Sequence, residues 1–194
     1  AEGGAARLDL RGRGLEIVPA EVWDMVAPGI AFVDLGENNL TGESAVPPLA
    51  LEACAKLEVL LLDGNKLTDW PLPPVGGGIS AAMPLRELSL ARNPSLRAAP
   101  PGAFARAPLL QKLDLTGVSI PFAPAGFLEP LTKLRELRWC KGGLTQVPDD
   151  VYRMVDLRIL RLADNKIFSL PADVASLTKL DELDLTNNDL STLP

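Results

Sequence analysis

The stretch Leu157-x-x-Leu160-x-Leu162-x-x-Asn165-x-Ile167 is followed 23 residues later by Leu180-x-x-Leu183-x-Leu185-x-x-Asn188-x-Leu190. This pair decides the architecture, because the same spacing recurs back along the chain. Earlier copies start at Ala5, Ile30, Leu57, Leu85, Leu110 and Leu134, which makes eight units of 23 to 28 residues. A unit of that size has too little core to stand alone. Stacked units merge their apolar positions into a continuous ribbon, and stability becomes a sum of nearest-neighbour terms.

A second element recurs five or six positions after the Asn slot: an apolar residue and then proline. It reads Val18-Pro19, Trp70-Pro71, Ala99-Pro100, Ala123-Pro124, Val147-Pro148, Leu170-Pro171 and Leu193-Pro194. Short apolar-periodic runs with early acids follow several of them, as in Pro148-Asp149-Asp150-Val151-Tyr152. Proline suits the first helical position, where its missing N–H has no partner to lose, and carboxylates there complement the macrodipole. Short helical turns are therefore expected after these prolines.

With both elements in place, the whole chain resembles the leucine-rich repeat superfamily, and its Leu-Pro units are similar to the intracellular Ras-group repeats. The resemblance implies an α/β leucine-rich repeat solenoid, a curved right-handed coil. Its concave side would be a parallel sheet of about eight short strands, and its convex side short helices, 3-10 turns and loops. One domain is expected over 1–194, with repeats starting near 5, 30, 57, 85, 110, 134, 157 and 180 and the last incomplete at Pro194. A loop insertion is expected over 71–84. Its glycines 76–78 lack the Gly-Lys-Ser/Thr that would make a phosphate cradle.

Composition narrows the function. The chain has 194 residues, 47% hydrophobic but only 5% aromatic, so the core is expected to be mainly aliphatic. Lys plus Arg number 19 against 25 Asp plus Glu, and a net charge of -6 argues against nucleic acid as a partner. The apolar stretch 59–62 is far short of the roughly 20 residues of a membrane span. The chain starts at Ala1 rather than Met, which leaves a removed leader open. Histidine is absent, so Ser-His and Cys-His pairs and imidazole metal sites are excluded. No catalytic residue, cofactor or metal is expected. Cys54 and Cys140 lie far apart without clustered partners, which reads as two free thiols in a reducing compartment, the cytoplasm.

The Asn slot has a structural task, since a buried amide can satisfy backbone groups that the turn leaves unpaired. Asn38, Asn65, Asn93, Asn165 and Asn188 fill it, while Arg13, Val118 and Gly142 do not. The units at Leu110 and Leu134 are thus expected to break the ladder, either as a binding feature or as repeat drift repaired by water or backbone. Gly142-Gly143 reads as a more permissive turn. Replacing Asn93 or Asn165 by Ala is expected to cost roughly 1–3 kcal/mol each.

Alternation places the third and fifth positions of each unit on the open face of the sheet, with the seventh and eighth in the turn beyond. Phe32, Val59 and Leu61 form a candidate apolar anchor beside Asp34 and Asp63, although Val and Phe also favour strands for their own sake. Arg135, Arg138, Lys141, Arg158 and Arg161 form a basic patch that fits either an acidic partner or a solvated face, and Ile159 sits among them. Cys140 is expected to face the concavity beside these cations, which would lower its pKa, and Trp139 to point into the core. The expected function is a non-catalytic scaffold that binds a protein partner on its concave face in intracellular signalling. The alternative is a substrate-recruiting or regulatory segment of a larger enzyme or receptor. The uncapped end suggests a monomer or weak association.

Overall fold

The computed structural model describes residues 6–42, 46–72, 82–97, 100 and 102–192. Eight parallel strands form one sheet in sequence order: β1 (Ala6–Asp9), β2 (Ile30–Asp34), β3 (Val59–Leu61), β4 (Glu87–Ser89), β5 (Lys112–Asp114), β6 (Glu136–Arg138), β7 (Ile159–Arg161) and β8 (Glu182–Asp184). Each expected repeat supplies one strand. Register is fixed position by position, so Phe32, Val59, Glu87, Lys112, Glu136, Ile159 and Glu182 are successive lateral neighbours. The six strands from β3 to β8 are three residues long because only the middle one, a leucine, points into the coil. Leu60, Leu88, Leu113, Leu137 and Leu160 are buried there, and Leu183 on β8 is 40% exposed.

The return segments close the ribbon. Two form helices, α1 (Ala20–Val26) and α2 (Pro48–Ala53), and two form 3-10 turns, Asp149–Arg153 and Ala172–Ser176. The side chains they drive inward are Trp23, Leu51, Phe104, Phe127 and Val151, all 1% exposed or less. The central returns lack helix among the described residues, and there Phe104 and Phe127 pack edge-on or tilted with Trp70 and Trp139. Four of the nine aromatic residues are gathered in this cluster.

The prolines start these turns one position earlier than expected. Pro19, Pro148 and Pro171 are N-caps with extended ψ, not first helical residues. The shared device is a carbonyl: Pro19, Pro47, Pro100, Pro124, Pro148 and Pro171 each accept the N–H three residues on. A locked φ orders that first turn whether or not a helix continues. One of the early acids has another task as well. Asp150 is buried and its Oδ2 accepts the Leu128 N–H of the preceding repeat at 3.1 Å, so it ties coils together rather than facing solvent. The 73–81 part of the expected loop insertion, and Leu193-Pro194, lie outside the described residues.

The Asn slot behaves as a ladder. The Oδ1 of Asn65 accepts the Leu40 N–H, while its Nδ2 donates to Leu35 and Leu62 carbonyls. Asn93 and Asn188 repeat this with Leu67 and Ile167 as donors. The gap at Val118 and Gly142 is repaired partly by backbone, as the drift reading expects, and partly by a side chain. The Trp139 Nε1–H donates to the Val118 carbonyl at 3.2 Å, and the Gly142 carbonyl accepts the Ile120 N–H. A Cβ on Gly142 would lie 2.6 Å from the indole, so this glycine is required for space and not for a permissive turn.

Candidate protein-binding face

The open face is built from the third, fifth, seventh and eighth positions of each unit. The eighth position adopts left-handed backbone in every repeat: Gly12, Glu37, Gly64, Arg92, Gly117, Lys141, Asp164 and Asn187. That kink ends the strand and turns the chain toward the buried Asn slot. At the fifth position an aspartate recurs, and it caps the turn: Asp9, Asp34, Asp114 and Asp184 accept the N–H two residues on. Asp34 is therefore 6% exposed and held in place by backbone.

Phe32 and Val59 pair laterally, as do Asp34 and Leu61. All three apolar side chains are half-buried. The Arg7 guanidinium lies over the Phe32 ring at 3.7 Å, which leaves its other face and edge for packing. Sequence reading missed the cations beside this patch. Arg11 reaches from the first repeat to Asp63 of the third, with Nη2–Oδ2 2.7 Å and Nη1–Oδ1 3.1 Å, and also bonds Asp34 and Glu37. Arg92 of the fourth repeat closes the array on Glu37 and Asp63.

Two glycines make that reach possible. A Cβ at Gly36 would collide with the Arg11 guanidinium and sit 2.9 Å from Asp63 Oδ1, and one at Gly64 would sit 2.7 Å from Glu37 Oε2. The seventh and eighth positions of the first three units, Arg11-Gly12, Gly36-Glu37 and Asp63-Gly64, carry this alternation of charge and glycine in the sequence.

Burial alone would raise the Asp63 carboxyl, but the Arg11 and Arg92 guanidiniums overcome it and hold it below 3.8. Arg11 is raised in turn, chiefly by its hydrogen bond to Asp63. A carboxyl with a depressed folded pKa adds stability that is present above its unfolded value and disappears as pH falls through the folded one. Wild-type urea midpoints should therefore fall as pH drops below the ordinary aspartate range of about 4, and Asp63→Asn should flatten that fall. Parallel pH profiles for the two proteins would refute the assignment.

Around the expected basic patch, the structure places carboxylates against the arginines. Arg138 Nε and Nη2 lie 2.6 and 2.5 Å from Glu136 Oε1, and Arg161 grips Glu182 at 2.6 and 3.0 Å. Arg158 pairs with Asp181 across the strand entrance, and Arg135 stands exposed at the same edge, off the concave rows. Lys141 is exposed and makes no ion pair among the described residues. Ile159 lies between Glu136 and Glu182. Cys140 does reach the concave floor, but its thiol is raised and not lowered. Desolvation is the main cause, and the negative charges of Asp184, Asp114 and Asp164 add to it. Cys54 is buried, with its thiol donating to the Ala50 carbonyl.

No protein-family model and no curated protein matches the sequence. Among solved structures, internalin C2 from Listeria monocytogenes superposes with a TM-score of 0.76 at 23% identity, covering 96% of this chain and 74% of that one. That likeness shows the fold, a leucine-rich repeat solenoid with a parallel inner sheet.

Proposed function

We propose that the chain is a non-catalytic scaffold that binds a protein partner on its concave face. The observation that supports this is an apolar patch, Phe32, Val59 and Leu61, in the same sheet face as charges already locked into ion pairs. Such a face is ordered before a partner arrives, so association costs little rearrangement. The stretches 15–23 and 183–190 are similar to leucine-rich repeat-containing protein 40, which favours an intracellular signalling setting. The two cysteines, one in the core and one on the concave floor, fit a cytoplasmic site for the same reason.

The test is kinetic. Phe32→Ala with Leu61→Ala should speed dissociation of a captured partner and leave its association rate unchanged, as for a desolvated anchor. Arg138→Glu with Arg161→Glu should act mainly on association, with an effect that shrinks at high salt. Binding that survives both pairs of changes would move the functional surface away from the concave face.

A further inference from the structure

Two pockets of about 190 and 420 Å³ lie along the centre of the concave face, and both are lined by Asp63, Ser89, Asp114 and Arg138. Among the described carboxylates that line either pocket, all but one are ion-paired: Asp63 to Arg11 and Arg92, Glu87 to Lys112, Glu136 to Arg138. The exception is Asp114 on β5. Its Oδ1 accepts the Thr116 N–H at 2.9 Å, and its Oδ2 has no partner among the described residues. Its lateral neighbour Arg138 is turned away to Glu136, and its neighbour on the other side, Ser89, is small enough to leave the groove open.

A half-buried carboxylate without a cation is under-solvated, and a cation brought by a ligand relieves that cost. The cations that line the two pockets are engaged elsewhere: Arg92 by Glu37 and Asp63, Lys112 by Glu87, Arg138 by Glu136 and Arg161 by Glu182. Beyond desolvation, which is the main cause, Asp114 is one of three aspartates whose negative charge raises the Cys140 thiol. Leu61 lines the smaller pocket two strands from Asp114, about 10 Å at ordinary strand spacing.

Building on the protein-binding reading of this face, we infer that the groove receives a protein segment that places an arginine or lysine side chain on Asp114 and an apolar side chain on Leu61. The specificity charge is thus Asp114, the carboxylate without an ion pair among the described residues that line the two pockets, and not the arginine patch beside it.

Random-sequence peptides displayed on phage and selected on the immobilised chain supply the probe. The most enriched peptide is then synthesised and its Kd measured. It should contain Arg or Lys, and replacing that residue by Gln should weaken binding at least about tenfold. Asp114→Asn should do the same, and the two losses should not add. Asn keeps the oxygen that caps Thr116, so an unchanged melting curve for this variant separates recognition from folding. An acidic peptide weakened by Arg138→Gln and indifferent to Asp114→Asn would overturn the charge assignment while leaving the face intact. A peptide indifferent to Asp114→Asn, Arg138→Gln and Leu61→Ala alike would overturn both readings, and recovery of no peptide above background would overturn the pairing.

Discussion

Gly142→Asn, which restores the residue used in five other repeats, is expected to destabilise the protein by about 1–3 kcal/mol as an overpacked core. The added side chain would enter space held by the Trp139 indole, 2.6 Å from the position of its Cβ. Trp139→Leu restores the leucine of the other repeats, and it too should destabilise, by roughly 2–4 kcal/mol. It opens a cavity beside Phe127 and removes the donor that satisfies the Val118 carbonyl. Together the two changes rebuild the ordinary ladder. The amide introduced by Gly142→Asn would then be placed to take the Ile120 N–H, as Asn65 takes that of Leu40. The double variant should be more stable than either single one, with a coupling energy of about 2 kcal/mol or more. Urea melts of the four proteins measure it. Simple additivity would show that Trp139 and Gly142 are independent drift rather than one compensated exchange.

That exchange illustrates what a linear sequence conceals. The repeat start, the strand of each unit and the Asn ladder were all legible, because each depends on a spacing that recurs within the unit itself. The Trp139–Gly142 pair obeys no recurring spacing. It joins two departures from the pattern, and only coordinates show that a large ring fills the volume an amide vacated. Arg11 and Asp63 are 52 positions apart and meet because the coil brings the seventh position of alternate units within side-chain reach. The glycine between them, Gly36, is a cleared path, since a Cβ there would meet the Arg11 guanidinium.

The environment of Cys140 was misread for a related reason. Arg138, Lys141 and Arg161 near it suggest a basic setting, but Arg138 and Arg161 are each gripped by a carboxylate, and three aspartates also act on the thiol. Glu136 grips Arg138 within its own strand, while Glu182 grips Arg161 from the neighbouring one. Desolvation, which sequence does not report, then dominates the thiol. The candidate anchor fared differently. The lateral pairing of Phe32 and Val59 followed from register alone, and register was fixed by the leucines behind it.

Removing rungs of the ladder should produce graded losses that follow the number of N–H groups left without an acceptor. Asn93 Oδ1 accepts one backbone N–H, from Leu67, and its Nδ2 donates to Leu62 and Leu90 carbonyls. Asn165 Oδ1 accepts two, from Gly142 and Leu144 at 3.0 Å each, while its Nδ2 donates to Trp139 and Leu162. Carbonyls near the ladder retain other partners more readily than an N–H does, so the donors decide the cost. Each buried donor stranded costs about 1–3 kcal/mol, which places Asn93→Ala in that range and Asn165→Ala at roughly twice it. The unit preceding Asn165 also lacks an Asn of its own, so Gly142 and Leu144 have no neighbouring rung to turn to. Asn165→Asp should be no milder than Asn165→Ala: an oxygen remains for both donors, but the second carboxylate oxygen meets the Trp139 and Leu162 carbonyls, to which it cannot donate. If denaturant melts showed Asn93→Ala and Asn165→Ala equally costly, donor count would not be the quantity that sets ladder strength. If they showed both to be neutral, the amides would not be carrying the turn at all.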